Sequence, residues 1–318
     1  MTIQLIENKS EIGAGTRGAS LGIDALRIAG LNKKNDYFSK HKVITIEDKN
    51  SLLFDNIKLS SAKRIKGIAE VFQIICDQVN ETISNNKFPL ILAADHSSAG
   101  GTIAGIKKRY PNKRLGAIWI DAHADLHSPY TSPTGNVHGM PLASAIGFDN
   151  KENKVKEPSA EAIKYWEKLK QTGGMSPKIL TNDIVFFGVR DTEFPEDEII
   201  RREGIKNFTV AETREKGIDK ACSEALELLS DCDIIYISFD VDSMDCDLVS
   251  MGTGTPVPNG YTPAEANSII QGLIKSEKLV CFEMVEINPT LDNKQNLMAD
   301  TAFEILVNTT NTLEKKVS

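Results

Sequence analysis

Long apolar runs, pairable cysteines and basic patches are all missing from this chain of 318 residues. Nowhere do about 18 apolar residues follow one another, the length a membrane-spanning helix needs. The opening Met1-Thr2-Ile3-Gln4-Leu5-Ile6-Glu7 lacks the basic segment and apolar core of a signal peptide. These absences predict a soluble, cytoplasmic protein with no membrane partner. The five cysteines, Cys76, Cys222, Cys232, Cys246 and Cys281, form an odd set without any Cys-x-x-Cys spacing. That excludes a disulfide framework and a zinc knuckle and leaves reduced thiols. With no Lys/Arg-rich run and a formal net charge of −7, nucleic acid is a poor partner, and a small cationic substrate fits better. No internal repeat or low-complexity tract is found, and the oligomeric state is left open, a homo-oligomer included.

What the chain does contain is a series of short apolar runs rich in β-formers, alternating with helical periodicity. Strands are predicted over Thr2 to Ile6, Lys42 to Ile46, Pro89 to Ala94, from Leu115 to Ile120, and over Asp183 to Val189, Asn207 to Val210, Asp233 to Phe239 and Lys278 to Ile287. Helices are predicted over Gly22 to Ala29, Ser61 to Ser84, Ser97 to Tyr110, Glu196 to Arg202, Thr213 to Leu229 and Thr262 to Ile274. Ser97 or Ser98 is placed to cap the third. Such alternation makes a mostly parallel sheet covered by helices on both faces, with sites beyond the carboxyl ends of the strands. A hydrophobic content of 41% can bury a large core. The length admits one large α/β domain or two small ones, and without a convincing linker a single domain over residues 1–318 is expected. Asp149 to Ser159 reads as a surface insertion.

Three of the apolar runs end in acid and imidazole. Ile118-Trp119-Ile120 runs into Asp121-Ala122-His123-Ala124-Asp125, whose polar residues alternate and so point the same way near a strand's end. Ile234 to Phe239 ends in Asp240-Val241-Asp242, and Pro89 to Ala94 ends in Asp95-His96. Unpaired carboxylates near a core are costly to desolvate, and a cation would neutralise them. The set His96, Asp121, His123, Asp125, Asp240 and Asp242 exceeds what one transition metal needs but suits two divalent ions that share carboxylates at about 3.5–4 Å. Oxygen-rich coordination with some imidazole favours Mn²⁺ over Zn²⁺, with Co²⁺, Fe²⁺ and Ni²⁺ left open. A hydroxide held between two such ions is a nucleophile at neutral pH, so metal-assisted hydrolysis is the natural reaction class.

Gly13-Ala14-Gly15-Thr16-Arg17-Gly18 matches the dinucleotide fingerprint G-x-G-x-x-G letter for letter. The polar segment Asn8-Lys9-Ser10-Glu11 separates it from its strand, however, where the fingerprint needs strand, turn and helix in direct succession. A glycine-rich loop ahead of a helix is the expected reading.

Asp121 to Asp125, Thr134-Gly-Asn-Val-His-Gly139, Ser238-Phe-Asp-Val-Asp242, Gly252-Thr-Gly-Thr-Pro256 and Glu286-Ile-Asn-Pro289 resemble the successive signature motifs of the ureohydrolases. The loop from Thr131 to Pro141 is similar to that of the arginases in particular. The resemblance covers Leu90 to about Ile305 and implies a three-layer α/β/α fold of the arginase/deacetylase kind around an eight-stranded, mostly parallel sheet. It also implies a pair of manganese ions and hydrolysis of L-arginine to L-ornithine and urea. Motif by motif, one ion would take His96, Asp121, Asp125 and Asp240, and the other His123, Asp121, Asp240 and Asp242, with Asp125 counted among the catalytic residues as well. His138 would shuttle protons and Glu286 would pair with the guanidinium. Thr134 and Asn136, joined by His127, would hold the α-carboxylate, Asp191 and Glu193 the α-amine, and Thr255 would line the guanidinium site. The chain departs from the family pattern at Ala93-Ala94, where two glycines are usual, at His127 for Asn, at Glu193 for Asp, and at Cys246, where proline is common.

Other readings make different demands. Agmatinase, guanidinobutyrase or formimidoylglutamase would keep the metal ligands and differ over Thr131 to Asn136, which substrate profiling resolves. An NAD-binding protein built on Gly13 to Gly18 would need no metal, and a silent metal-binding scaffold would hold manganese without releasing urea.

Overall fold

A computed structural model of the chain describes residues 2–317. Its eight strands are β1 (Thr2–Asn8), β2 (Val43–Thr45), β3 (Lys87–Ala93), β4 (Leu115–Ile120), β5 (Ile184–Phe187), β6 (Lys206–Phe208), β7 (Ile234–Asp240) and β8 (Leu279–Val285). They form one sheet in the order β2-β1-β3-β8-β7-β4-β5-β6, and every ladder in it is parallel.

Both faces of this sheet are covered, which is why its strands read as nearly unbroken apolar runs. Alternation along each strand sends neighbours to opposite layers. Leu90, Leu92, Ile118 and Ile120 pack with the helices Gly22–Asn32, Pro263–Leu273 and Leu297–Val317, whereas Ile91, Ala93, Ala117 and Trp119 pack with Ile65–Ser84, Ser98–Arg109 and Ala160–Gln171. The chain passes from β3 to β4 over the two strands β8 and β7, so the sheet order reverses near its middle. The carboxyl ends of β3, β8, β7 and β4 stand side by side there, the place where ligands bind in open α/β sheets.

The structure departs from the sequence reading at several points. The helix predicted over Thr213 to Leu229 is two helices, Val210–Lys216 and Ile218–Leu228, parted at Gly217, whose φ of 86° only glycine adopts readily. Ile65–Ser84 starts later than expected, because Arg64 sits at φ 55° and Ser61 to Lys63 form an irregular lead-in. Ser97 does not cap its helix; its hydroxyl and backbone N–H turn to Asp95, while the Ser98 hydroxyl goes to Glu283. Asp149 to Ser159 lies mostly at the surface as expected, and its first residue is tied down, Asp149 accepting from Trp166 Nε1 at 2.8 Å and Lys170 Nζ at 2.7 Å. The loop Gly13 to Gly18 stays between β1 and the first helices, and packing within the protein uses its glycines. A Cβ at Gly13 would meet the side chains of Asp95 and Ser97, and one at Gly18 those of Asn288 and Thr290.

Candidate metal centre and substrate cavity

Asp121 follows β4 and Asp240 ends β7, and each uses one carboxylate oxygen to fix its own turn. Asp121 Oδ1 accepts from His123 N at 2.6 Å, and Asp240 Oδ1 accepts from Asp242 N at 2.9 Å. Their other oxygens converge on His96 Nδ1, Asp121 Oδ2 at 3.0 Å and Asp240 Oδ2 at 3.2 Å, with Asp125 Oδ2 at 3.1 Å completing the ring. Nε2 of the same imidazole lies 2.8 Å from the Ser238 hydroxyl, and its face stacks on Trp119 at 4.1 Å with an interplanar angle of 4°. A ring that spends its proton on Ser238 presents a bare lone pair at Nδ1 to three carboxylates, an arrangement suited to a cation.

The buried atoms test that fit. Among the described residues His96 Nδ1, Asp121 Oδ2 and Asp125 Oδ2 find no hydrogen-bond partner, although all three residues are buried. Burial opposes charge on His96, yet Asp121, Asp125 and Asp240 hold its pKa well above the ordinary imidazole value. Asp240 is pushed well up by burial and then by Asp242 and Asp121. Carboxylates so crowded must take up either protons or metal. His96, Asp121 and Asp240 form one group with ligand atoms within 4.8 Å, and Asp121, His123 and Asp242 form a second. Asp121 belongs to both. In the second group His123 Nδ1 is 3.0 Å from Asp242 Oδ2, and Asp242 Oδ1 accepts from Ala122 N at 3.1 Å.

Above these groups lies a cavity of about 200 Å³ whose walls include His96, His123, Asp125, His127, Thr134 and Asn136. His138, Asp191, Glu193, Asp240, Asp242, Thr255 and Glu286 complete the residues expected from the sequence. Asp121 alone of that set sits behind the wall. Two of the residues, Asp125 and Glu286, have φ of 52° and 68°, the left-handed region that side chains other than glycine rarely enter. Such backbone strain concentrates at functional sites.

Glu286 is buried and leads the cavity's inner wall from the end of β8. Its Oε1 accepts from His96 N at 2.9 Å and lies 3.0 Å from His138 Nδ1, and its Oε2 has no hydrogen-bond partner among the described residues. His127 uses both ring nitrogens inside the protein, Nδ1 toward Thr131 Oγ1 at 3.1 Å and Nε2 toward Glu193 Oε2 at 2.7 Å.

Sequence reasoning overlooked Glu196, which lies 3.3 Å from His127 Nε2 and is pushed up to about 7, chiefly by burial. The spacing Glu193-x-x-Glu196 ahead of a helix was its available signal, since the pair forms a reciprocal capping box. Asp95, beside the ligand His96, supports the glycine loop instead of a metal, accepting from Gly13 N at 2.8 Å. Burial lifts it to about 6.

The family model for arginases matches residues 3–310. The chain belongs to the arginase family. It is 34% identical over 308 residues to the arginase of Bacillus subtilis, which covers 96% of each chain. The crystal structure of Entamoeba histolytica arginase in complex with L-ornithine superposes with a TM-score of 0.80 at 25% identity, covering 97% of this chain and 99% of that one. The formimidoylglutamase of Bacillus subtilis, at 20% identity and a TM-score of 0.72 over 99% of this chain and 88% of its own, shares the fold. Membership makes the protein a hydrolase, and its two His/Asp groups agree with the binuclear metal chemistry of the arginase family. Among the described residues no helix is long and apolar enough to cross a membrane.

Proposed function

We propose that this protein hydrolyses the guanidinium of L-arginine to L-ornithine and urea. The observation that carries the reading is Glu286: a buried carboxylate with one unpartnered oxygen in the wall of a cavity floored by two His/Asp groups. A flat, permanent cation is the ligand such an oxygen suits. The arginase named with bound L-ornithine supports the product side of the same reading.

In this reading His96, Asp121, Asp125 and Asp240 hold one divalent ion, and His123, Asp121, Asp240 and Asp242 the other, with Mn²⁺ preferred for its oxygen-rich ligands. The ions, when bound, supply Lewis acidity and a water-derived nucleophile at neutral pH. The chain does the rest. Glu286 Oε2 orients the guanidinium, and Thr255, whose hydroxyl donates to Asp242 Oδ2 at 3.3 Å, closes the wall beside it. His138 keeps Nδ1 on Glu286 and leaves Nε2 to pass a proton to the departing amine. Asp191 and Glu193 receive the α-amine, and Thr134 and Asn136 the α-carboxylate. His127 anchors Glu193 from the cavity wall at that end. One domain carries the whole site, in the cytoplasm.

Metal analysis of the purified protein beside urea release from L-arginine, agmatine and 4-guanidinobutyrate with added Mn²⁺ tests this. L-arginine is expected to have the highest kcat/KM, and equal or better use of agmatine would move the assignment to a sister ureohydrolase.

A further inference from the structure

Lys63 stands just ahead of the helix Ile65–Ser84, far in sequence from every motif residue, yet its ammonium donates to Asn136 Oδ1 at 2.9 Å. The contact is built in from several sides. Lys63 N donates to Gly135 O at 2.7 Å, and Gly135, at φ 73°, comes so close to Ser60 that a Cβ there would fall 2.0 Å from its carbonyl oxygen. Gly135 N is held by Ser132 Oγ at 2.9 Å and Asn136 N by Thr134 Oγ1 at 3.1 Å. The loop is thereby fixed against the lead-in of the helix.

An ammonium has only protons to offer, so the amide of Asn136 must turn its oxygen to Lys63 and its NH₂ away. That NH₂ faces Gly15, where a Cβ would lie 2.5 Å from Nδ2. Gly15 thus leaves room for the donor end of the amide of Asn136, which lines the cavity. On the same side Lys156 Nζ donates to Pro133 O at 3.1 Å. Its pKa is lowered by burial and then by repulsion from Lys63, which places two cations around one loop. Asp191 and Glu193 enter the cavity from the end of β5, across the sheet from the β1 side that supplies Gly15. The cavity wall therefore carries an amide backed by a cation at Asn136 and, from other lining residues, the carboxylates of Asp191 and Glu193. An α-amino acid zwitterion has the complementary polarity, and a decarboxylated amine has not.

We infer that Lys63 is a positioning residue for substrate selection: it locks the Asn136 amide with its NH₂ toward the α-carboxylate of the substrate and adds a cation behind it. This inference rests on the arginine-hydrolase reading and specifies how that site chooses an amino acid. A lysine that served only to dock the helix would leave substrate preference untouched.

The test uses full-length, Mn²⁺-loaded protein with L-arginine, 5-guanidinopentanoate, which keeps the carboxylate and lacks the amine, and agmatine, which lacks the carboxylate. In Lys63→Met the KM for the two carboxylates should rise about tenfold, the size of one lost charge-assisted hydrogen bond, with kcat changed less than about twofold. The preference for L-arginine over agmatine should fall by the same factor, and that for L-arginine over 5-guanidinopentanoate should hold. Lys63→Arg should restore most of the preference, and Lys63→Gln, able to donate without charge, should lie between. Metal content and melting temperature report whether each variant is folded, and Gln and Arg serve where Met is not. Equal losses on all three substrates, or an unchanged arginine-to-agmatine ratio, would overturn the role of Lys63 alone. A wild-type protein that releases no urea from L-arginine would overturn the functional reading and this inference with it.

Discussion

Nδ1 of His138 lies 3.0 Å from Oε1 of Glu286, and the same oxygen accepts the backbone N–H of His96. One carboxylate therefore ties the proposed proton carrier to a proposed metal ligand while its Oε2 stays unpartnered in the cavity wall. Glu286→Gln keeps the shape and removes the charge. Urea release from L-arginine should fall by about a hundredfold or more, the scale for losing one aligned electrostatic contact at a reacting group. Both ions should remain, since Glu286 is in neither ligand group. Steady-state kinetics beside metal analysis checks this, and near-normal turnover in the variant would remove Glu286 from the guanidinium site.

The same contact sets a pH dependence. Burial disfavours a charged His138 ring, but the Glu286 carboxylate outweighs it, with Asp125 and Asp95 adding, and the pKa ends above the ordinary 6.5. A raised folded value means that the pair's stabilisation is fully present below about pH 6.5 and is lost as pH rises through the folded pKa. His138 thus stays protonated, and able to donate, to a higher pH than a free imidazole. Ring titration by NMR in the metal-free protein should show this, and in Glu286→Gln the midpoint should drop. An identical midpoint in both proteins would disprove the coupling.

Asp121 belongs to both clusters of candidate ligand atoms, whereas Asp242 belongs to the second alone. Asp121→Asn should weaken both ions together, because a neutral amide is a poor bridge between dications. Asp242→Asn should spare the first. Metal stoichiometry after dialysis against a weak chelator, read by atomic emission, separates the two patterns. Equal loss of both ions in Asp242→Asn would show that the groups do not bind independently.

How much of this was legible in the chain depended on where each constraint came from. β3, β4 and β7 announce themselves because both faces of the sheet are buried, and their polar termini stand out against unbroken apolar runs. All six proposed ligand residues could be named on that basis, and the structure brings their side chains together around His96 and His123. The helix Ala160–Gln171 was legible but not read: its buried apolar residues Ala162, Trp166 and Leu169 keep an i, i+4, i+7 stripe, short and set directly after the polar stretch Asp149 to Ser159. The break at Gly217 had a signal of its own, a glycine directly after the polar run Thr213-Arg214-Glu215-Lys216, where a helix commonly ends. Lys63 gave no motif, because its role is fixed by a partner 73 residues away that only the folded chain supplies, and Glu196 showed only as the second half of a capping box.

Arg190 shows the same dependence on the folded chain in its strongest form. Its guanidinium donates through Nε to Pro258 O at 3.0 Å, through Nη1 to Gly188 O at 3.0 Å and Ser243 O at 3.4 Å, and through Nη2 to Asp242 O and Val257 O, both at 2.9 Å. Five carbonyls from three segments thus meet one planar fork, and one of them belongs to a proposed metal ligand. Gly260 has no side chain because a Cβ there would lie 2.6 Å from Nη2. Lysine carries the same charge but only three donors on a single nitrogen, so Arg190→Lys must leave carbonyls unmatched. The expected cost is about 1–3 kcal/mol in denaturant unfolding, the range for partly buried groups that lose a partner. Because the freed segment includes Asp242, the second ion should dissociate more readily while the first stays bound. Chemical denaturation of the metal-free protein measures the first effect and metal titration the second. If stability falls but both ions hold as in the wild type, Arg190 only supports the fold; if the second ion alone is lost, the fork is what keeps Asp242 in register with His123.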